Sequence, residues 1–271
     1  MSPKDEQSQP KGLADLVDSY QAAGRYVLTR ETALEALRTN DEALKKSVQR
    51  LAARRRLAVP RRGFFVIVPV EYRHAGAPPP SWFVDELMKF CGRRYYVGLL
   101  SAAALHSAAH QQPQEFQVIT DVQLRPVVAG RARIRFFQKL RIDRTPTSET
   151  KTETGFMRVA TPEATALDLL RYVEAAGHIG NVATVLADLA EKLDAGRLAE
   201  VARIEGDLPN AQRLGYLLEQ VGAEVPAGPL ANWIAERRPR YIPLRPDRSI
   251  RSTRKDARWR ILVNEKIEAD T

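Results

Sequence analysis

The sequence predicts an α+β chain, in which an N-terminal winged helix-turn-helix is followed by a larger mixed α/β C-terminal domain. Three observations predict it. Short helical patterns lead into a hairpin pattern within residues 1–70, a proline cluster follows at Pro78-Pro79-Pro80, and strand-like and helical runs are mixed beyond it. A length of 271 residues also favours two units over one.

Residues 1–11 carry few apolar side chains and are expected to be frayed. Order is expected from Leu13, where Leu13, Leu16, Val17 and Tyr20 recur at helical spacing until Gly24. Tyr26-Val27-Leu28 is a brief β-prone step, and Thr29 can cap a second helix with Ala33, Leu34, Ala36 and Leu37 on its apolar face. Thr39-Asn40-Asp41 offers side-chain oxygens to the free amides of a third helix, where Leu44, Val48 and Leu51 repeat. Leu57-Ala58-Val59, a turn at Pro60-Arg61-Arg62-Gly63 and Phe64-Phe65-Val66-Ile67-Val68 describe a hairpin. Residues 1–70 are therefore assigned to the winged helix-turn-helix domain, 71–81 to a linker stiffened by proline, and 82–271 to the second domain.

In the second domain the pattern predicts helices at 82–91 and 97–109 and strands near 116–120 and 134–137. Thr161-Pro162 starts a helix running to about Ala175, further helices cover about 180–192 and 209–221, and Arg258 to Asn264 reads as a strand.

The net charge is +9, but it is regional: residues 25–65 and 234–260 each carry +7, leaving −5 elsewhere. Two such concentrations suit a polyanionic partner. Cys91 is the only cysteine, which excludes an intramolecular disulfide and a thiolate zinc cluster. With no run resembling a signal peptide or membrane span, the expected location is the cytoplasm, without a membrane partner.

On the third helix, burying Leu44, Val48 and Leu51 turns Lys45, Lys46, Gln49, Arg50 and Arg54 outward, with Ser47 nearby. Arg and Gln can read base edges in a major groove, so Gln49 and Arg50 are the candidate base contacts. Lys45 and Lys46 suit phosphates, where charge adds affinity without sequence information. Arg61 and Arg62 at the hairpin tip can reach the backbone or the minor groove, and Arg55 and Arg56 adjoin this footprint.

Catalytic signatures are weak. His106 and His110 lie one helical turn apart, but no glutamate follows the first as in a zincin motif. Asp121 and Lys139, at the ends of two expected strands, lack the acid-x-lysine spacing of metal-dependent nucleases, and neither G-x-S-x-G nor Gly-Ser with paired aspartates occurs. Asp168, inside the helix after Pro162, is expected to be exposed or paired with an arginine. No cofactor and no enzymatic activity are expected. The C-terminal basic segment offers Arg245, Arg248, Arg251, Arg254, Lys255 and Arg258 to a nucleic acid or an acidic protein, or simply as a solvated face.

Read together, Arg62-Gly63-Phe64-Phe65-Val66, Tyr95-Tyr96-Val97-Gly98-Leu99-Leu100-Ser101-Ala102-Ala103, His106, Pro113-Gln114-Glu115 and Thr161 to Leu170 resemble the AbiEi family of antitoxins and transcriptional regulators. One departure from the resemblance is Ser107, where a glycine is expected after the histidine in many relatives. The resemblance implies an antitoxin of a type IV toxin-antitoxin system. It implies a repressor of its own operon that binds operator DNA at inverted repeats, with a cooperative dimer on DNA, and a C-terminal domain that antagonises a nucleotidyltransferase toxin. The alternative is a stand-alone transcriptional regulator whose second domain senses a ligand.

Overall fold

The computed structural model describes residues 10–108 and 113–267, so the ends of the chain and His110 lie outside it. The architecture is α+β, with ten α-helices and three sheets among the described residues. No helix among these residues is long and apolar enough to cross a membrane.

The first elements are α1 (Leu13–Ala22), β1 (Val27–Thr29), α2 (Arg30–Leu37), α3 (Asp41–Ala53), β2 (Leu57–Arg61) and β3 (Phe64–Ile67). Local chemistry sets their limits. Thr29 and Thr32 form a reciprocal capping box at the start of α2, and Arg38 ends that helix in the left-handed region. The Asn40 side chain then accepts from the Ala43 amide at 2.9 Å, which starts α3 only two residues later. β3 is central in a three-stranded sheet, pairing antiparallel with both β1 and β2. Leu13, Leu16, Val17, Leu28, Ala33, Leu44, Val48, Leu51, Leu57, Phe65 and Ile67 close one core beneath the three helices.

Further along lie α4 (Val84–Phe90), β4 (Tyr95–Val97), α5 (Leu99–Leu105), β5 (Phe116–Thr120), β6 (Val127–Ala129), β7 (Ala132–Gln138), β8 (Thr147–Thr152) and β9 (Gly155–Ala160). These strands form a sheet of order β6-β7-β5-β4-β9-β8, in which β4 runs antiparallel to β5 and parallel to β9. The helices α6 (Pro162–Arg171), α7 (His178–Leu189), α8 (Ala195–Glu205), α9 (Leu208–Gln220) and α10 (Glu224–Arg237) follow. β10 (Ile242–Pro243), β11 (Arg254–Asp256) and β12 (Ile261–Val263) end the chain as a small sheet of order β10-β12-β11.

Contacts divide the chain into two units, neither continuous in sequence. One comprises residues 1–94, 124–136 and 150–157; the other comprises 95–123, 137–149 and 158–271. Within the first unit, the segment 71–81 is packed rather than extended. Tyr72 and Trp82 meet with ring centroids 5.3 Å apart, Ala75 O accepts from the Arg131 amide at 2.8 Å, and Trp82 O accepts from Thr154 Oγ1 at 2.6 Å. Gly130, at φ +55, lies so close to Gly76 that a Cβ there would come within 2.6 Å of the Gly76 backbone, so this crossing tolerates no side chain.

In the second unit α6 is buried from Glu163 to Leu170, and Trp259 fits against the side-chain-free position of Gly215 on α9. Gln212, one turn earlier on α9, is itself buried and donates to Trp259 O at 2.9 Å, fixing the final strand region onto the helix.

Candidate nucleic-acid interface

α3 presents the face its periodicity predicts. Leu44, Val48 and Leu51 are buried while Lys45, Lys46, Gln49, Arg50 and Arg54 are exposed and Ser47 is half-buried. Arg50 Nη2 donates to Ser47 Oγ at 3.0 Å, which holds the guanidinium along the helix surface. Lys46 pairs with Glu42 at 3.1 Å, both groups well exposed, so water and salt weaken the pair and a phosphate can replace the carboxylate. At the helix start Arg30 Nε donates to Asp41 Oδ1 at 2.6 Å, and this bond holds the Asp41 carboxyl below its ordinary range. The acidic first turn of α3 therefore has a cation beside it.

An open depression on α3 is lined by Ala43, Lys46, Ser47, Gln49, Arg50 and Ala53. Beside it, α1, the α2–α3 turn and α3 enclose a cleft of about 390 Å³ whose cationic lining is Lys11, Arg50 and Arg54. Thr39 and Ser47 add hydroxyls to the same cleft. Lys11 was not singled out by sequence, and Thr39 only as part of the cap of α3; Lys11 stands before the first helical pattern, and only the fold carries it to α3.

The hairpin tip separates its two arginines. Gly63, at φ +83, makes the turn, and its carbonyl accepts from the Arg30 amide at 2.8 Å. Arg62 is exposed, whereas Arg61 is half-buried with its Nε enclosed and without a hydrogen-bond partner. Behind them Phe64 packs on Phe90 with ring centroids 5.3 Å apart, so the tip is braced against α4. Arg55, at φ +53, extends toward the Arg73 carbonyl, and Arg56 pairs with Asp18.

The C-terminal basic residues do not form a uniform set. Arg245 must be removed from the exposed candidates: it is 8% exposed, and its guanidinium makes a two-point contact with Asp247 at 2.8 and 2.6 Å. Glu265 lies 3.4 Å from the same group, and hydrogen bonding to Arg245 lowers the Asp247 carboxyl to about 2. Arg248 shares Glu265 at 3.5 Å, and Arg258 pairs with Glu219 at 2.5 Å. Arg251, Arg254 and Lys255 are exposed; Lys255 and Arg260 sit over the Tyr241 ring at 5.4 and 5.1 Å. A smaller cleft of about 320 Å³ includes Arg238, Arg258 and Arg260.

The remaining sequence candidates have structural partners. Asp168 is neither exposed nor paired directly with an arginine: it is fully buried, Lys139 Nζ donates to it at 2.8 Å, and Tyr96 Oη donates at 2.8 Å. Lys139 also donates to Glu205 at 2.6 Å, and Arg171 approaches the other oxygen of Glu205 at 3.2 Å. Burial raises Asp168 from the ordinary carboxylate range despite its ammonium neighbour, and burial carries Tyr96 well above a normal phenol. Lys139 is thus committed to this network, while Asp121 accepts locally from Thr120 Oγ1 at 3.2 Å. His106 is half-buried with Nε2 2.8 Å from the Ala160 carbonyl.

Residues 96–220 match the family model of the AbiEi antitoxin C-terminal domain. The crystal structure of the RV2827C protein from Mycobacterium tuberculosis superposes on 94% of this chain and 92% of its own, with a TM-score of 0.67 and 14% sequence identity. At that identity the likeness is one of fold. No curated protein matches the sequence.

Proposed function

We propose that this chain, whose residues 96–220 match the AbiEi antitoxin C-terminal domain, is an antitoxin that also binds DNA and represses its own operon. The family match supports the antitoxin role. The observation that carries the DNA-binding half is the division of α3, with Leu44, Val48 and Leu51 buried and Lys45, Lys46, Gln49 and Arg50 exposed. Three helices followed by a hairpin give residues 10–70 the order of a winged helix-turn-helix. In this reading α3 enters the major groove, Gln49 and Arg50 read bases, and Lys45, Lys46, Arg54, Arg61 and Arg62 engage the backbone. The half-buried position of Arg61 makes Arg62 the dominant contact of the tip.

The remainder of the chain antagonises a nucleotidyltransferase toxin and carries no catalytic role of its own. Its exposed basic residues Arg248, Arg251, Arg254, Lys255 and Arg258 offer a surface to nucleic acid or partner, and two copies bind an inverted repeat cooperatively. Two measurements test the reading. Purified full-length protein should bind the duplex upstream of its own gene more tightly than an unrelated duplex, and co-expression with the adjacent gene should rescue growth. Equal affinity for the two duplexes would remove the repressor role, and failure of rescue by a stably expressed chain would remove the antitoxin role.

A further inference from the structure

We infer that the cleft between α1 and α3 is a seat for a phosphate ester, neutralised by Lys11 and Arg54, receiving a hydroxyl donor from Thr39 and bordered by Arg50, which the proposed function turns to the bases. Lys11, Arg50 and Arg54 all line it, and no carboxylate does. All three are exposed, and none forms an ion pair among the described residues: Arg50 makes only its bond to Ser47, and the Lys11 and Arg54 side chains make none. Three cations thus line a cleft of about 390 Å³ whose lining holds no carboxylate, the neighbouring Asp15 accepting from the Lys11 backbone amide at 3.1 Å, and an anion in the cleft would be favoured by their charge. Guanidinium forks match phosphate oxygens at two points, and a lysine adds a mobile third charge. Thr39 is half-buried and its hydroxyl has no hydrogen-bond partner among the described residues, so it can serve as a donor.

A phosphate ester reaches this seat from either of two sources. The cleft shares Ala43, Ser47 and Arg50 with the open depression on α3, so it flanks the face that the proposed function places in the major groove. A helix in that groove has a sugar-phosphate backbone on each side, and the seat lies where one of them would run. The other source is a free phosphorylated small molecule, which would occupy the same cations and compete with the duplex. The first source rests on the reading of α3 as a duplex-facing helix; the second does not.

The test uses the full chain as wild type, Lys11→Ala, Arg54→Ala and Gln49→Ala, with unfolding midpoints confirming that these surface changes leave the fold intact. Duplex affinity is measured by fluorescence anisotropy across a potassium chloride series, using upstream DNA and an unrelated duplex. Adenosine monophosphate and inorganic phosphate are titrated separately into DNA-free protein by calorimetry. If the seat holds the DNA backbone, Lys11→Ala and Arg54→Ala each reduce the slope of log affinity against log salt by about one on both duplexes. If it holds a free ester, the Lys11→Ala slope stays unchanged, while adenosine monophosphate binds wild type and loses about tenfold in affinity on Lys11→Ala and on Arg54→Ala. Unchanged slopes with no adenosine monophosphate or phosphate binding overturn the seat. Loss of no discrimination in Gln49→Ala, with the Lys11 and Arg54 effects present, overturns only the assignment of Gln49 to the base-reading face.

Discussion

Lys139 and Asp168 form an ion pair of 2.8 Å in which the ammonium side chain is 6% exposed and the carboxylate 0%. The second carboxylate on that ammonium, Glu205, is only 2% exposed, so removing the lysine leaves Asp168 with the Tyr96 hydroxyl as its remaining donor and Glu205 with Arg171 alone as its cation. Lys139→Met should cost about 3–5 kcal/mol of unfolding free energy, the cost of breaking a buried pair. Adding Asp168→Asn should return part of the loss, because the charge that needed the lysine is gone. Urea unfolding of the two single variants and the double variant checks both statements, and strictly additive losses would show that the residues are not coupled.

A Cβ built on Gly215 would lie 1.9 Å from Cζ3 of Trp259, whose side chain is wholly buried. Gly215→Ala should therefore destabilise the second unit by about 1–3 kcal/mol through overpacking, although alanine is the better helix former. The expected readout is a lower unfolding midpoint with a shifted tryptophan emission maximum.

Arg245 holds the Asp247 carboxyl at about 2, below the ordinary aspartate value near 3.8. A carboxyl with a depressed folded-state value favours the native state above the unfolded value, and that contribution disappears as pH falls through the folded value. Thermal unfolding of wild type should thus lose an increment between about pH 4 and pH 2 that Asp247→Asn lacks. Glu265 remains beside Arg245 in the variant, so the increment is partial.

Arg50→Ala should weaken binding to the upstream duplex by about 1–3 kcal/mol and relax discrimination at one base position. Arg62→Ala should instead weaken every duplex alike and flatten the salt dependence, as the loss of a phosphate contact does. Gel shifts of the two variants on matched and scrambled duplexes separate these outcomes.

Where local chemistry governs an element, the sequence is enough to read it. Asn40 and the Leu44, Val48, Leu51 repeat announce α3, the Phe116 to Thr120 run becomes β5, and Thr161-Pro162 starts α6. α8 was missed although Asp194 caps it and Gly206 ends it, whereas two other unpredicted elements lack such signals. α10 contains Pro226, Gly228 and Pro229 and reads as a loop; packing against α8 and α9 makes it a helix. β8, Thr-Ser-Glu-Thr-Lys-Thr, is an edge strand with no buried residue, so no alternation marks it. Pairing across distance was equally hidden. Nothing local in the chain links Asp168 to Lys139 or Arg245 to Glu265, although Asp247, the closest acid to Arg245, stands only two residues from it. The α3 face was legible because one helix carries it; the cleft beside it, needing Lys11 and Thr39 from elsewhere, was not.

The crossing of Gly76 with Gly130 and the bond from Thr154 to Trp82 bear on how such a protein can be inherited. A recombination event at the proline cluster, the obvious seam in the gene, would carry off the first eighty residues and leave behind the later strands that fold with them. The part that carries α3 is therefore no interchangeable cassette. A substitution within residues 124–136 or 150–157 therefore acts on the packing of the N-terminal segment that these stretches complete.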